Sequence, residues 1–471
     1  MTDGPADSSA DLERMLDDLF PYRRTMPTYR RIPERGADRE GVLESISLMA
    51  EAEDAQGDAG RVSGSLYSGD HEHYRFLARV FEQFAHANVL QRDMYPSATK
   101  FEGEIIAMSA DLFHAPEPIG VVTSGGSDSL VHALYAYRED VRQSRGVRAP
   151  NVVLPITAHV ALRKGAHWMG IEVRDAPLTS AFVADVDAMA DMVDDDTIAI
   201  VGSAGDYAHG LIDPIDRLGE LALERGVGLH VDGCLGGFLL PWAEQLGYDV
   251  PAWDFRVPGV TSLSADTHKY GYALKGTSVL LYRRPALRSR QWFAATDWPG
   301  GLYLSPGLAG SRSGGLIAST WAAMITTGRE GYLAKAKAIL ETNRRITHGI
   351  RTGIPELHVL GAPLFMTSFT SDDVDVYLVN DALKERGWRM NSLQLPPGLH
   401  FCVTGPNTQP GIAEAFLADL RAAVDFAVAH RHEPAKSGAM YGFGATPQGQ
   451  ATITSVMNGV LDAMHVAAPD A

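Results

Sequence analysis

The sequence predicts an α/β protein: a large domain built on a mostly parallel, doubly wound sheet, followed by a smaller α/β domain. Three observations predict it. The chain has 471 residues, more than the roughly 250–300 at which a single core stops growing. Short β-rich runs alternate with helical stretches between residues 151 and 282. A second alternation of the same kind follows after residue 331.

The elements read in order as follows. Residues 1–10 are small, polar and acidic and are expected to be disordered. Residues 11–60 read as helices around a Pro- and Arg-rich connector at 21–35. Helical spacing of apolar residues recurs at 73–87 and 99–112. Strand-like runs then fall at 151–154, 171–173, 197–202, 228–231, 260–263 and 278–282. Helices are expected again at 315–327 and 331–349, and strands at 357–360, 364–370 and 400–404. The chain therefore divides into N-terminal helices at 1–60, a large domain at 61–330 and a small domain at 331–471. No internal repeat or long low-complexity tract interrupts it.

Composition removes several function classes. The apolar and charged fractions, 45% and 21%, are those of a globular protein. A net charge of −17 argues against a nucleic-acid binder, which needs a basic face. Cys234 and Cys402 cannot make a disulfide framework, and no Cys/His spacing suits a metal, so none is expected. Two buried thiols in a reducing compartment are expected instead, hence a cytoplasmic enzyme. The N-terminal 20 residues lack the apolar core of a signal peptide. No run of about 20 apolar residues is present to span a bilayer.

Four short segments carry chemistry. In Ser262-Leu263-Ser264-Ala265-Asp266-Thr267-His268-Lys269-Tyr270-Gly271, a β-run gives way to small polar residues. Lys269 then falls just past the carboxyl end of a strand, where open α/β sheets bind ligands. Desolvation there is expected to lower its pKa and make the amine a nucleophile. Gly228-Leu229-His230-Val231-Asp232 is a strand closing on an acid. A carboxylate at that strand end can keep a pyridine nitrogen protonated, the electron sink of pyridoxal-phosphate (PLP) chemistry. Val121-Val122-Thr123-Ser124-Gly125-Gly126-Ser127-Asp128-Ser129 is a glycine-rich turn entering a helix. It offers backbone N–H groups and a positive dipole end to a phosphate. It is neither a P-loop nor a dinucleotide fingerprint, which disfavours a nicotinamide enzyme. His159, just beyond the first strand of the alternating region, is placed to stack on a cofactor ring. Each segment alone is weak. Their order is phosphate loop, stacking imidazole, ring-nitrogen acid and Schiff-base lysine, and it points to a PLP enzyme rather than a non-catalytic binding protein.

Longer stretches resemble the sphingosine-1-phosphate lyase family, a branch of the PLP-dependent group II decarboxylases. These are Gly60-Arg-Val-Ser-Gly-Ser-Leu-Tyr67-Ser-Gly-Asp70, His230-Val-Asp-Gly-Cys-Leu-Gly-Gly-Phe238 and Asp254-Phe-Arg-Val-Pro-Gly-Val-Thr-Ser-Leu-Ser-Ala-Asp-Thr-His-Lys-Tyr-Gly-Tyr272. Thr296-Asp-Trp-Pro-Gly-Gly-Leu-Tyr303, Ala309-Gly-Ser-Arg-Ser-Gly-Gly315 and Leu393-Gln-Leu-Pro-Pro397 extend the likeness. The resemblance implies the aspartate-aminotransferase-like fold type I with a seven-stranded sheet. It implies Lys269 as the Schiff-base lysine, Asp232 as partner of the pyridinium nitrogen and His159 as the stacking group. Gly125, Gly126, Ser127 and His268 would hold the cofactor phosphate. Ser311 to Gly315 would be contributed to a second subunit's site in a homodimer. Tyr67, Tyr207 and Lys275 would lie near the substrate head group. The implied reaction is retro-aldol cleavage of a phosphorylated long-chain amino alcohol to an aldehyde and phosphoethanolamine. A phosphate, a tyrosine or a histidine would take the hydroxyl proton. The competing reading within the same chemistry is an amino-acid decarboxylase or a lyase for another β-hydroxy amine. The chain departs from its relatives at Gln91, which stands where they carry a histidine, and at Leu274, where they carry a proline. The loss of a cationic donor at Gln91 is expected to weaken recognition of a phosphorylated head group.

Overall fold

The computed structural model describes residues 16–436 and 447–469; the segment 1–10 lies outside them. Its centre is a seven-stranded sheet. The strands are β1 (Gly120–Thr123), β2 (Asn151–Pro155), β3 (Glu172–Ala176), β4 (Thr197–Ser203), β5 (Gly228–Asp232), β6 (Ser262–Ala265) and β7 (Ser278–Tyr282). Their spatial order is β1-β7-β6-β5-β4-β2-β3. β7 runs antiparallel to β1 and β6, and the remaining pairs are parallel. Hence β1 to β6 all point the same way, and their carboxyl ends share one edge.

Side-chain chemistry accounts for this arrangement. β2, β4 and β7 are buried along their whole length, as suits near-continuous apolar runs covered on both faces. β3 lies at the edge with Glu172 and Asp175 exposed. Helix α1 (Gly126–Arg145) starts from the loop after β1, and α2 (Val160–Met169) from the loop after β2. The long helix α3 (Gly314–Gly353) is broken at Gly328, whose φ of 56° is a left-handed value. That break separates the two helices expected at 315–327 and 331–349.

Beyond the large sheet, β8 (Phe293–Ala295) and β9 (Tyr303–Ser305) form a two-stranded hairpin. β10 (His358–Val359), β11 (Met366–Thr370), β12 (Asn391–Gln394) and β13 (Pro397–Cys402) form an antiparallel sheet in the order β10-β11-β13-β12. Tyr270 ties it to the large sheet, its hydroxyl donating to the carbonyl of Val403 at 2.7 Å. Cys234 and Cys402 are free and buried. Among the described residues no helix is long and apolar enough to cross a membrane, and no group of three or more His, Cys, Asp or Glu could hold a metal.

Candidate active site

The shared strand edge gathers the chemistry. The glycine turn follows β1, His159 follows β2, Tyr207 follows β4, Asp232 ends β5 and Lys269 follows β6. The ends of β5 and β6 are stitched together: the Gly233 N–H donates to the Ser264 carbonyl at 2.9 Å and the Asp266 N–H to the Cys234 carbonyl at 3.3 Å. A cavity of about 380 Å3 opens there, lined by Ser124, Gly125, Gly126, Ser127, Asp128, Leu130, His159, Cys234, Asp266, His268 and Lys269. The phosphate-loop residues, the stacking histidine and the lysine expected from sequence therefore meet in one space.

The glycine turn is shaped to admit a ligand close to the backbone. Gly125 has φ 150° and ψ 173° and makes no side-chain cap for α1. The first N–H groups of α1 are thus left to a ligand. A Cβ on Gly126 would lie 2.8 Å from both Asp266 carboxylate oxygens and 3.0 Å from the Cys234 sulfur. His268 Nδ1 donates to the Thr277 carbonyl at 2.7 Å. That bond orients Nε2 toward the cavity side, 3.6 Å from Asp266 Oδ2.

Lys269 corrects one sequence expectation. Burial does disfavour its charged form, but the net effect raises its pKa, because the Asp266 carboxylate stands 3.0 Å from Nζ. The desolvated, low-pKa amine foreseen from the strand-end position is not what this pocket holds. The ion partner comes from the lysine's own turn.

Around this cavity the remaining candidates divide. Asp232 is buried, and its Oδ1 accepts the Cys234 N–H at 3.0 Å. His159 accepts the Ala161 N–H through Nδ1 at 3.2 Å, which fixes its ring at the start of α2. Its ring meets that of Tyr207 edge-on, 6.3 Å between centroids, and Tyr207 meets His400 at 5.2 Å. Tyr67 is buried, with its hydroxyl pKa driven up by burial and by the nearby Cys402 thiol. Lys275 Nζ sits 4.8 Å above the Tyr67 ring and donates to the Ser65 carbonyl at 3.3 Å. Burial and the neighbouring Lys269 lower its pKa. Gly315 is not brought into this cavity: it lies in α3, where an added Cβ would lie 2.7 Å from the Phe81 ring. Ser311 is likewise elsewhere, accepting from Asn88 Nδ2 at 3.0 Å. A second cavity, of about 570 Å3, lies between Arg312, Glu102 and Trp292; of the candidate segments, only the 311–315 loop reaches it, through Arg312.

Sequence reasoning passed over Asp266 and Cys234. Asp266 was visible as an acid three positions before the lysine, the spacing of one helical turn.

The chain matches the pyridoxal-dependent decarboxylase conserved domain over residues 64–357. It is 40% identical over 393 residues to a sphingosine-1-phosphate lyase of Dictyostelium discoideum, covering 83% of this chain and 73% of that one. The solved sphingosine-1-phosphate lyase of Burkholderia pseudomallei is 48% identical and superposes with a TM-score of 0.87, covering 93% of this chain and 98% of that one. The chain belongs to the sphingosine-1-phosphate lyase family. A glutamate decarboxylase of Lactobacillus brevis, 21% identical with a TM-score of 0.72, shares the fold over 88% of this chain. As a family member the chain has fold type I, takes pyridoxal 5′-phosphate as cofactor and is a PLP-dependent lyase. The site's geometry fits that cofactor. The uncapped helix start with its Cβ-intolerant glycine suits a phosphate, and a primary amine faces the same cavity.

Proposed function

We propose that the chain cleaves a phosphorylated sphingoid base of the sphingosine-1-phosphate type to a long-chain aldehyde and phosphoethanolamine. The observation that carries this reading is the near full-length likeness to sphingosine-1-phosphate lyases in a chain whose Lys269 opens into the strand-edge cavity. Lys269 would hold the cofactor through its amine, Asp232, at the end of β5, would keep the ring nitrogen protonated, and His159 would pack on the ring. Gly125, Gly126, Ser127 and His268 hold the phosphate. Bound PLP supplies an electron sink for the pair left on Cα when the Cα–Cβ bond breaks. The residues' task is orientation, since that bond must stand perpendicular to the ring. Tyr67, Tyr207 and Lys275 face the head group, Lys275 offering a cation to its phosphate. The reading includes a homodimer, with Ser311 to Gly315 serving the partner's site, and a cytoplasmic location, which the two free buried thiols support.

Incubation with sphingosine-1-phosphate and added PLP tests it. Long-chain aldehyde and phosphoethanolamine should accumulate in equal amounts, and Lys269→Ala should abolish both. Carbon dioxide from amino acids, with no aldehyde from the lipid, would point to a decarboxylase instead.

A further inference from the structure

Asp266 is the buried charge closest to the lysine, and the lyase chemistry above gives it no part. Its side chain is 3% exposed, and Oδ2 stands 3.0 Å from Lys269 Nζ. Oδ1 is buried without a hydrogen-bond partner among the described residues. Gly126, at the first turn of α1, leaves room for the carboxylate: a Cβ there would be 2.8 Å from either oxygen. A buried carboxylate with one oxygen unsatisfied is costly unless a cation stays beside it. Among the groups that act electrostatically on Lys269 are Asp266, Tyr67, Cys234, Cys402, Lys275 and His268. Asp266 is the carboxylate among them.

We propose that Asp266 is a positioning residue that holds Lys269 as an ammonium in the cofactor-free protein and takes its proton when an aldehyde arrives. The proposal rests on Lys269 being the cofactor lysine. The step balances. The Nζ ammonium gives one proton to the Asp266 carboxylate. The freed lone pair adds to the aldehyde carbon, so a C–N bond forms. The aldehyde oxygen then departs as water with the two remaining N–H protons, and the proton on Asp266 returns to the new C=N nitrogen. The carboxylate again faces a cation, so the buried charge is paired before and after. The raised pKa of Lys269 agrees with this geometry.

The test follows capture of PLP by the cofactor-free protein, read as borohydride-fixed label on Lys269, at a series of pH values. In the natural protein the capture rate should stay nearly level from about pH 7 to about pH 9, since the ammonium proton passes to Asp266 within the pair and not to solvent. In Asp266→Asn capture should be slower near neutral pH and climb with pH, since solvent must then take the proton, and Asp266→Glu should restore part of the original profile. Coincident profiles for the natural protein and Asp266→Asn would overturn the proposal while leaving Lys269 as the cofactor lysine. No label on Lys269 at any pH would overturn both. Should Asp266→Asn fail to fold, competitive acetylation of the natural cofactor-free protein decides. Lys269 should ionise well above the exposed lysines, and a midpoint at or below theirs would refute the pairing.

Discussion

Asp232 illustrates how much one backbone position does. It ends β5, pairs in register with Ser203 and Ser264, and is buried with one carboxylate oxygen engaged by the Cys234 N–H. Under the proposed function this strand-end carboxylate is the partner of the ring nitrogen. Asp232→Ala should therefore keep the fold and lose nearly all turnover, because the ring nitrogen loses the acid that keeps it protonated; steady-state aldehyde release checks it, with circular dichroism as the control. Gly126→Ala should act on cofactor affinity. Its Cβ has nowhere to go except into the Asp266 carboxylate and the Cys234 sulfur, so equilibrium titration with PLP should show at least roughly tenfold weaker binding, about 1.4 kcal/mol. Gln91 makes the third case. Arg92, the adjacent cation, is bound to Glu102 and does not replace the missing histidine. Gln91→His should lower KM for a phosphorylated substrate by about five- to thirtyfold, the worth of one charge-assisted hydrogen bond, with little change for a substrate lacking phosphate. At this scale the meeting of Lys269 with the Gly125-Gly126 turn in one cavity was legible from short motifs. The ionisation of Lys269 was not legible, because the deciding oxygen is set by how a single turn folds.

Among the elements, the loop between β4 and the helix Ile215–Arg225 carries an unusual load of buried charge. Asp206 is buried, its Oδ1 accepting the His209 N–H at 2.8 Å and its Oδ2 the Leu211 N–H at 3.0 Å. Burial, then the nearby Asp213 charge, pushes its pKa up to about 7. The folded protein thus holds a proton there that the unfolded chain releases near pH 4. Stability from this group is present below about pH 4 and is lost as pH rises through about 7, by up to about 1.4 kcal/mol per unit. Asp206→Asn removes that slope but also removes one acceptor, a cost of about 1–3 kcal/mol. The variant should be less stable than the natural protein near pH 5 and close the gap toward pH 8. Urea unfolding across this range measures it, and parallel curves would refute it. His209 and His400 move oppositely. Burial lowers both to about 4, so they add stability as pH rises from about 4 to about 6.5, against the slope from Asp206. The elements themselves were read unevenly from sequence. Apolar strands such as β2, β4 and β7 stood out, and so did the two helices that Gly328 separates in α3. The polar edge residues of β3 and the short β12 blurred theirs. The antiparallel insertion of β7 between β1 and β6 depends on long-range pairing that no local pattern encodes.

At the scale of the whole molecule, one chain leaves apolar surface unexplained. Helix Arg39–Asp58 has no buried residue, although a helix in a folded protein usually owes its stability to a packed face. Leu302 and Leu308, on the segment that carries β8 and β9, are 85% and 80% exposed, and Trp292, Phe293, Trp298 and Leu304 join them. Such a patch on one molecule marks an interaction surface. The segment runs directly into Ser311 and Gly315, residues that take no part in their own chain's cavity. In the proposed homodimer a second copy of the chain would cover the leucines and tryptophans while receiving the 311–315 loop at its own site. The natural protein should then elute and scatter as a dimer. Leu302→Asp combined with Leu308→Asp should give monomers, because two carboxylates cannot be buried unpaired at an interface. Those monomers should remain folded and lose most lyase activity, since each site would lack its neighbour's loop. Light scattering coupled to chromatography, run beside an aldehyde assay, separates the outcomes. A natural protein that is monomeric and fully active would remove the shared site, and a double variant that stays dimeric would place the interface elsewhere on the surface.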